Sequence, residues 1–282
     1  MDIETLNALR SPAGIPGPPW LFLALLVVTW ALHMLAVLVM LGTITISLIG
    51  CFSSSKHWQC LANVALEIGK VAVSIAIVLG VAPLLFVQVI YDPFWYVSNV
   101  ISGRWVVISI FLLLTGYYSL YHGYFVSRDN NFQGRVSLAI ALLLLVCFGL
   151  IMHTLTSQML QPEQWLQWYA PGGHIDTSGS RLHGLNYARF LYFISLSVPV
   201  TAAWLSAYTY SLQRRELCGR PVLPNDYIDW LTRLYPPMFI MGGFLAIALY
   251  SIWMATLPDS AHDFPKTIWS WLAILGTILL SM

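Results

Sequence analysis

The chain has 282 residues, 58% of them hydrophobic and only 9% charged, with a formal net charge of +1. A soluble domain carries about a quarter charged residues, and a soluble fold this apolar would expose large sticky patches, so lipid must be the solvent for most of the surface. The near-neutral charge argues against a nucleic-acid partner, which needs a basic face. What remains is an all-α fold: a polytopic integral membrane helix bundle with about seven transmembrane helices.

Residues 1–19 read as an outer N-terminal segment. They open Met1-Asp2-Ile3-Glu4, lack a basic region and pass through a Pro-Gly-rich stretch, so no cleavable signal peptide is predicted. A single transmembrane helical domain follows over 20–282. Runs of about 20 apolar residues cross a bilayer core, and six are clear: 20–49, 66–90, 105–126, 136–160, 187–212 and 237–257. A seventh, 267–282, is about one bilayer long at most and stops at the apolar Met282. Either that helix ends at the interface or the chain continues. Two connections are long. Residues 161–186 form a polar outer loop with Trp165, Trp168, His174, Asp176 and His183, and 213–236 form a cytoplasmic loop with Arg214, Arg215, Arg220 and Arg233. The 12 Trp and 14 Tyr suit belts at the two membrane interfaces.

Orientation follows from Lys and Arg, which favour the cytoplasmic side. The loops after the first, third and fifth segments carry Lys56, Arg128, Arg135, Arg214, Arg215, Arg220 and Arg233. The opposite side has Arg10, Arg104, Arg181 and Lys266. The N-terminus and the 161–186 loop are therefore predicted to face outward from a bacterial inner membrane. Cys51, Cys60, Cys147 and Cys218 form no C-x-x-C pair, which excludes a covalent c-type haem and a zinc ribbon.

Ionisable groups within a membrane helix are costly and usually have a job. Glu67 is placed at the cytoplasmic start of the second segment and Asp92 at its outer end, which leaves the helix cores without acids and argues against an ion pump. The histidines carry more. His33 lies mid-way along the first segment, His153 in the outer third of the fourth, His122 near the cytoplasmic end of the third, and His183 just before the fifth. A neutral imidazole in an apolar bundle is the usual axial ligand of b-type haem, which makes His33 and His153 candidate metal ligands and His122 a further cofactor-binding candidate. At 1.5 Å rise per residue, His33 and His153 differ in depth by roughly 10 Å, with His122 as far the other way. Met is the alternative axial ligand, at Met34, Met152, Met159, Met238 or Met241. A lone membrane histidine can equally bond a neighbouring helix. His57, His174 and His262 read as solvated loop residues. Arg104 and Arg189 either snorkel or bind a haem propionate or quinone headgroup. Gln88, Tyr91 and Asp92 can line a quinone pocket, while an aromatic belt accounts equally for Tyr91, Trp95 and Tyr96.

The first segment reads ALHMLAVLVMLG, the second VLGVAPLLFVQVIYDPFWY, the fourth ends TSQMLQP, and the fifth reads ARFLYFISLSVPVTAAWLSAYTYSLQRRE. In order and spacing this resembles the first five helices of subunit I of cytochrome bd-type quinol oxidases, over about residues 20–216. The resemblance implies that His33 matches the first-helix haem ligand of that family. At the family's fifth-helix axial histidine this chain has Tyr192. The acidic residues of the family's third helix are missing from 105–126, and in place of its outer quinol loop stands the short stretch 258–266. The resemblance therefore implies a bd-like relative without the oxidase centre.

Three readings follow. One is a respiratory electron-transfer subunit that holds b-type haem and exchanges electrons between quinone and an outer-face cytochrome or other redox subunit. The second is a haem-free membrane anchor or assembly subunit, with Trp165, Trp168 and Tyr169 as a docking surface. The third is a small-molecule transporter, for which Gly80–Pro83 and Pro199 supply helix interruptions.

Overall fold

Water cannot bond backbone groups inside a bilayer, so each apolar run must satisfy its own N–H and C=O groups, and helix does this. The computed structural model describes residues 8, 14–126, 132–217, 225–257 and 263–281. Among these residues there is helix and no strand. The order is α1 Pro19–Phe52, α2 Lys56–Ile90, α3 Asp92–Ile101, α4 Gly103–Val126, α5 Phe132–Met159, the short α6 Trp165–Tyr169, α7 Tyr187–Ser195, α8 Ser197–Leu217, α9 Asn225–Ala255 and α10 Ile268–Ser281.

Six spans among the described residues are long and apolar enough to cross a membrane: α1, α2, α4, α5, α9, and α7 together with α8. The chain is thus an integral membrane helix bundle. The expected seventh span does not qualify. α10 has 14 residues, about 21 Å of helix against a hydrocarbon core of about 30 Å.

Other boundaries also differ from the sequence reading. α2 begins ten residues before 66, so Glu67 lies three turns inside it rather than at its start, and His57 is helical rather than in a loop. His57 Nε2 lies 3.1 Å from Asp226 Oδ2, and its ring sits 5.5 Å from that of Trp230. The expected loop 213–236 is largely helix, since α8 runs to Leu217 and α9 starts at Asn225. Arg10, Arg128, Arg220, Cys218 and His262 lie outside the described residues. The fifth predicted segment breaks at Leu196 into α7 and α8. Pro199 explains this: its ring nitrogen cannot donate to the Ser195 carbonyl and its ring crowds that group, yet it is tolerated in the first turn of α8.

Contacts divide the chain into two compact units: Met1–Ala36 with Lys70–Asn186, and Val37–Gly69 with Tyr187–Met282. In the first, α4 packs closely on α5 because glycines permit it. A Cβ added at Gly123 would stand 2.8 Å from Leu138 Cδ2, and one at Gly116 3.1 Å from Leu145 Cγ. Small residues at helix interfaces replace the hydrophobic drive that lipid removes. In the second unit Ile46, Leu61, Ala65, Leu205, Tyr227, Ile228 and Leu231 form the core, and Tyr192, Ala246 and Tyr250 a further cluster.

Candidate functional site

His33 sits in α1 between Leu32 and Met34. Its Nδ1 lies 2.9 Å from the Ala76 carbonyl of α2. A carbonyl can only accept, so Nδ1 carries the proton and Nε2 keeps its lone pair. One turn further along α2, Gly80 lies against the ring: a Cβ there would stand 2.8 Å from His33 Cε1. The imidazole is thus held by hydrogen bond and by shape. Backbone-bonded Nδ1 with Nε2 available is the arrangement that orients a histidine as a metal ligand. The same contact is also what an interhelical packing histidine makes.

His153 lies elsewhere. Its α5 neighbours Ile151 and Leu155 cluster with Leu84 and Val87 of α2, one to two turns beyond Gly80. His33 and His153 therefore differ in depth by on the order of 10 Å. His122 faces the opposite end of α5, with Nδ1 2.9 Å from the Ser137 hydroxyl. From Ser137 to His153 is about 24 Å along the helix, so His122 and His153 share no site. Met152 and Met159 pack in the cluster around Leu155, and Met238 packs against the core around Leu205. Among the described residues no three His, Cys, Asp or Glu side chains gather as a metal site.

The arginines are placed differently from each other. Arg104 is exposed in the first turn of α4, and its backbone N–H donates to Gly179 O at 3.1 Å. Arg189 is half-buried in α7, its guanidinium 5.6 Å from the centre of the Trp253 ring, a cation–π contact. Tyr192 is a packed core residue. Its ring lies 5.4 Å from that of Tyr250 and its hydroxyl 3.2 Å from Thr277 Oγ1.

Two clusters escaped the sequence reading. Gln158, fully buried in the last turn of α5, fastens the 161–186 loop. Its Nε2 donates to Ser98 O at 2.7 Å, its Oε1 accepts from Ser102 Oγ at 3.0 Å and from the His183 N–H at 3.2 Å, and its carbonyl accepts from Trp165 Nε1 at 2.8 Å. Trp105 Nε1 adds a bond to Ser180 O at 2.8 Å. His183 then stacks on Trp168, ring centres 5.0 Å apart. Burial, and then the positive Arg181, hold this imidazole below its ordinary value, while Asp176 pulls the other way.

The second cluster joins α2 to α4. Lys70 Nζ lies 3.7 Å from the centre of the Tyr124 ring, and the Ser74 and Tyr121 hydroxyls share a 3.1 Å hydrogen bond. The signal was available: Tyr117, Tyr121 and Tyr124 recur at helical spacing, and a lysine in an apolar helix needs such company. No protein-family model, no curated protein and no solved structure matches the chain.

Proposed function

We propose that the chain is an integral membrane subunit of a respiratory electron-transfer complex, bd-like in its first five segments, holding b-type haem through His33. It would exchange electrons between quinone and a cytochrome or other redox subunit docked on the 161–186 side. The proposed setting is a bacterial inner membrane with the N-terminus outside. The observation that supports this reading is the fixed imidazole: the Ala76 carbonyl holds Nδ1–H at 2.9 Å, so Nε2 presents a lone pair in a zone without water.

His33 is the residue that would hold the haem. Ala76 fixes the tautomer, and Gly80 leaves the ring edge clear of a side chain. His153 and His122 lie at other depths, so any further ligand to the haem would be a methionine or a side chain of a partner subunit. When bound, b-type haem supplies a one-electron carrier whose potential follows its ligands and burial. The chain's own part is to orient the imidazole and keep water away.

Purified with its native partners, the protein should show a b-type α-band in the dithionite-reduced minus oxidised spectrum, and His33→Ala should abolish it. A flat spectrum from the intact complex would rule out the haem reading.

Tyr192 favours a second reading, a haem-free membrane anchor or assembly subunit. Its ring and hydroxyl are fully engaged by Tyr250, Trp253 and Thr277, so the position serves packing. On this reading His33→Ala leaves complex assembly intact.

A further inference from the structure

A cleft of about 350 Å³ opens at the α4–α5 end remote from the 161–186 loop, lined by His122, Phe132, Gln133, Val136 and Ser137. We infer that this cleft binds a quinone headgroup, with the isoprenoid tail lying along the exposed face of α4. The inference rests on the electron-transfer reading above and gives its quinone an address.

Three observations carry it. The first is polarity without charge. The His122 Nδ1 and Ser137 hydroxyl are 2.9 Å apart, Gln133 adds an amide, and the five lining residues include no Asp, Glu, Lys or Arg. An anionic phospholipid headgroup would require cations. A quinone offers two neutral carbonyl acceptors, which imidazole N–H, hydroxyl and amide donors suit.

The second is aromatic surface. Phe132 is 75% exposed, and Phe125 and Tyr118, one turn to either side of His122 on α4, are each 67% exposed. Flat apolar rings flanking a few convergent polar groups are the usual make-up of a site for a planar ligand.

The third is the lane. Tyr118, Leu114 and Phe111 continue the same face at spacings of three and four residues, and all are exposed. His122 lies four residues from the end of α4, about 6 Å from the helix terminus, where a headgroup meets the interface. The lane runs from there towards the apolar middle of the helix. A polar head with a long apolar tail matches both ends.

The test is photolabelling of the full chain in nanodiscs with a short-tailed azidoquinone, followed by peptide mapping. Label should fall within 118–137 and be competed by decylubiquinone but not by added phosphatidylglycerol. His122→Ala and Ser137→Ala should each lower labelling by about tenfold, the loss of one hydrogen-bonded anchor, with unchanged elution on size exclusion. Label outside that segment, labelling indifferent to both substitutions, or equal competition by phosphatidylglycerol would overturn the inference. The two proposals separate cleanly. Label at His122 in protein that shows no α-band sinks the haem reading alone, and an α-band with label elsewhere sinks this one alone.

Discussion

Inside a bilayer a histidine carries two nitrogens that water cannot reach. His33 settles one on the Ala76 carbonyl, and this much was legible: an imidazole in a run of leucines and valines must find a partner. The partner itself was not legible, because the second segment offers a carbonyl at every residue. Only the facing of Ala76 and the missing side chain at Gly80 select it. Gln158 was wholly opaque. In the sequence it is one letter of TSQMLQP, whereas in the fold it gathers Ser98, Ser102, Trp165 and His183 from separate segments. Gln158→Leu keeps the volume and the main-chain carbonyl that Trp165 bonds, but removes the side-chain partner of the Ser98 carbonyl, the Ser102 hydroxyl and the His183 N–H, at about 1–3 kcal/mol for each one left buried and unbonded. The expected outcome is a lower thermal midpoint and faster hydrogen exchange across 161–186. Unchanged exchange there would remove Gln158 as the fastening point.

At the scale of elements, hydropathy located the apolar centres of the spans and misjudged several ends. Residues 56–65 and 225–236 carry Lys56, His57, Asp226, Asp229 and Arg233, so they read as loop, yet they are the first turns of α2 and α9. Apolarity reports depth in the bilayer, and a helix does not stop where the hydrocarbon does. Pro236 and Pro237 misled in the same way. They mark a helix start by rule, and α9 runs through them. α3 was missed because Asp92-Pro93 read as the end of a helix, whereas it begins the next one. The α4–α5 pair makes a specific demand on its glycines. Gly123→Leu drives a side chain into Leu138, whose Cδ2 would stand 2.8 Å from the new Cβ and whose backbone nitrogen 3.3 Å. The expected loss is about 1–3 kcal/mol, read as a fall in the denaturant midpoint in mild detergent. A neutral result would mean that the two helices pack less closely than described.

For the molecule as a whole, composition alone settled the class: a chain 58% hydrophobic and 9% charged folds in lipid. The count of spans was less secure, because α10 meets the apolarity but not the length. The 161–186 side should respond to pH. His183 titrates below the ordinary imidazole value of 6.5, chiefly because it is buried, so the docked loop prefers the neutral ring. Well above pH 6.5 the ring is neutral docked or undocked, and docking keeps its full strength. As pH falls through that value the undocked loop takes up the proton first and docking weakens. Protection of 161–186 from hydrogen exchange, corrected for intrinsic rates, should hold steady down to about pH 7 and decline towards about pH 5. His183→Asn should abolish the decline. A wild-type profile that stays level would free His183 of this role.

The division of α1 and α2 between two compact units has a consequence for biogenesis. Ile46, Leu61 and Ala65 are among the first buried side chains to leave the ribosome, but the residues that bury them, Leu205, Leu212, Tyr227 and Leu231, are made far later. Meanwhile the N-terminal part of α1 and the rest of α2 meet the partners of their own unit, which is complete at Asn186. At roughly 5–20 residues per second, the early halves wait on the order of ten seconds with their packing faces turned to lipid or to whatever insertion machinery shields them. A nascent chain arrested after Asn186 would present that waiting surface as a folding intermediate.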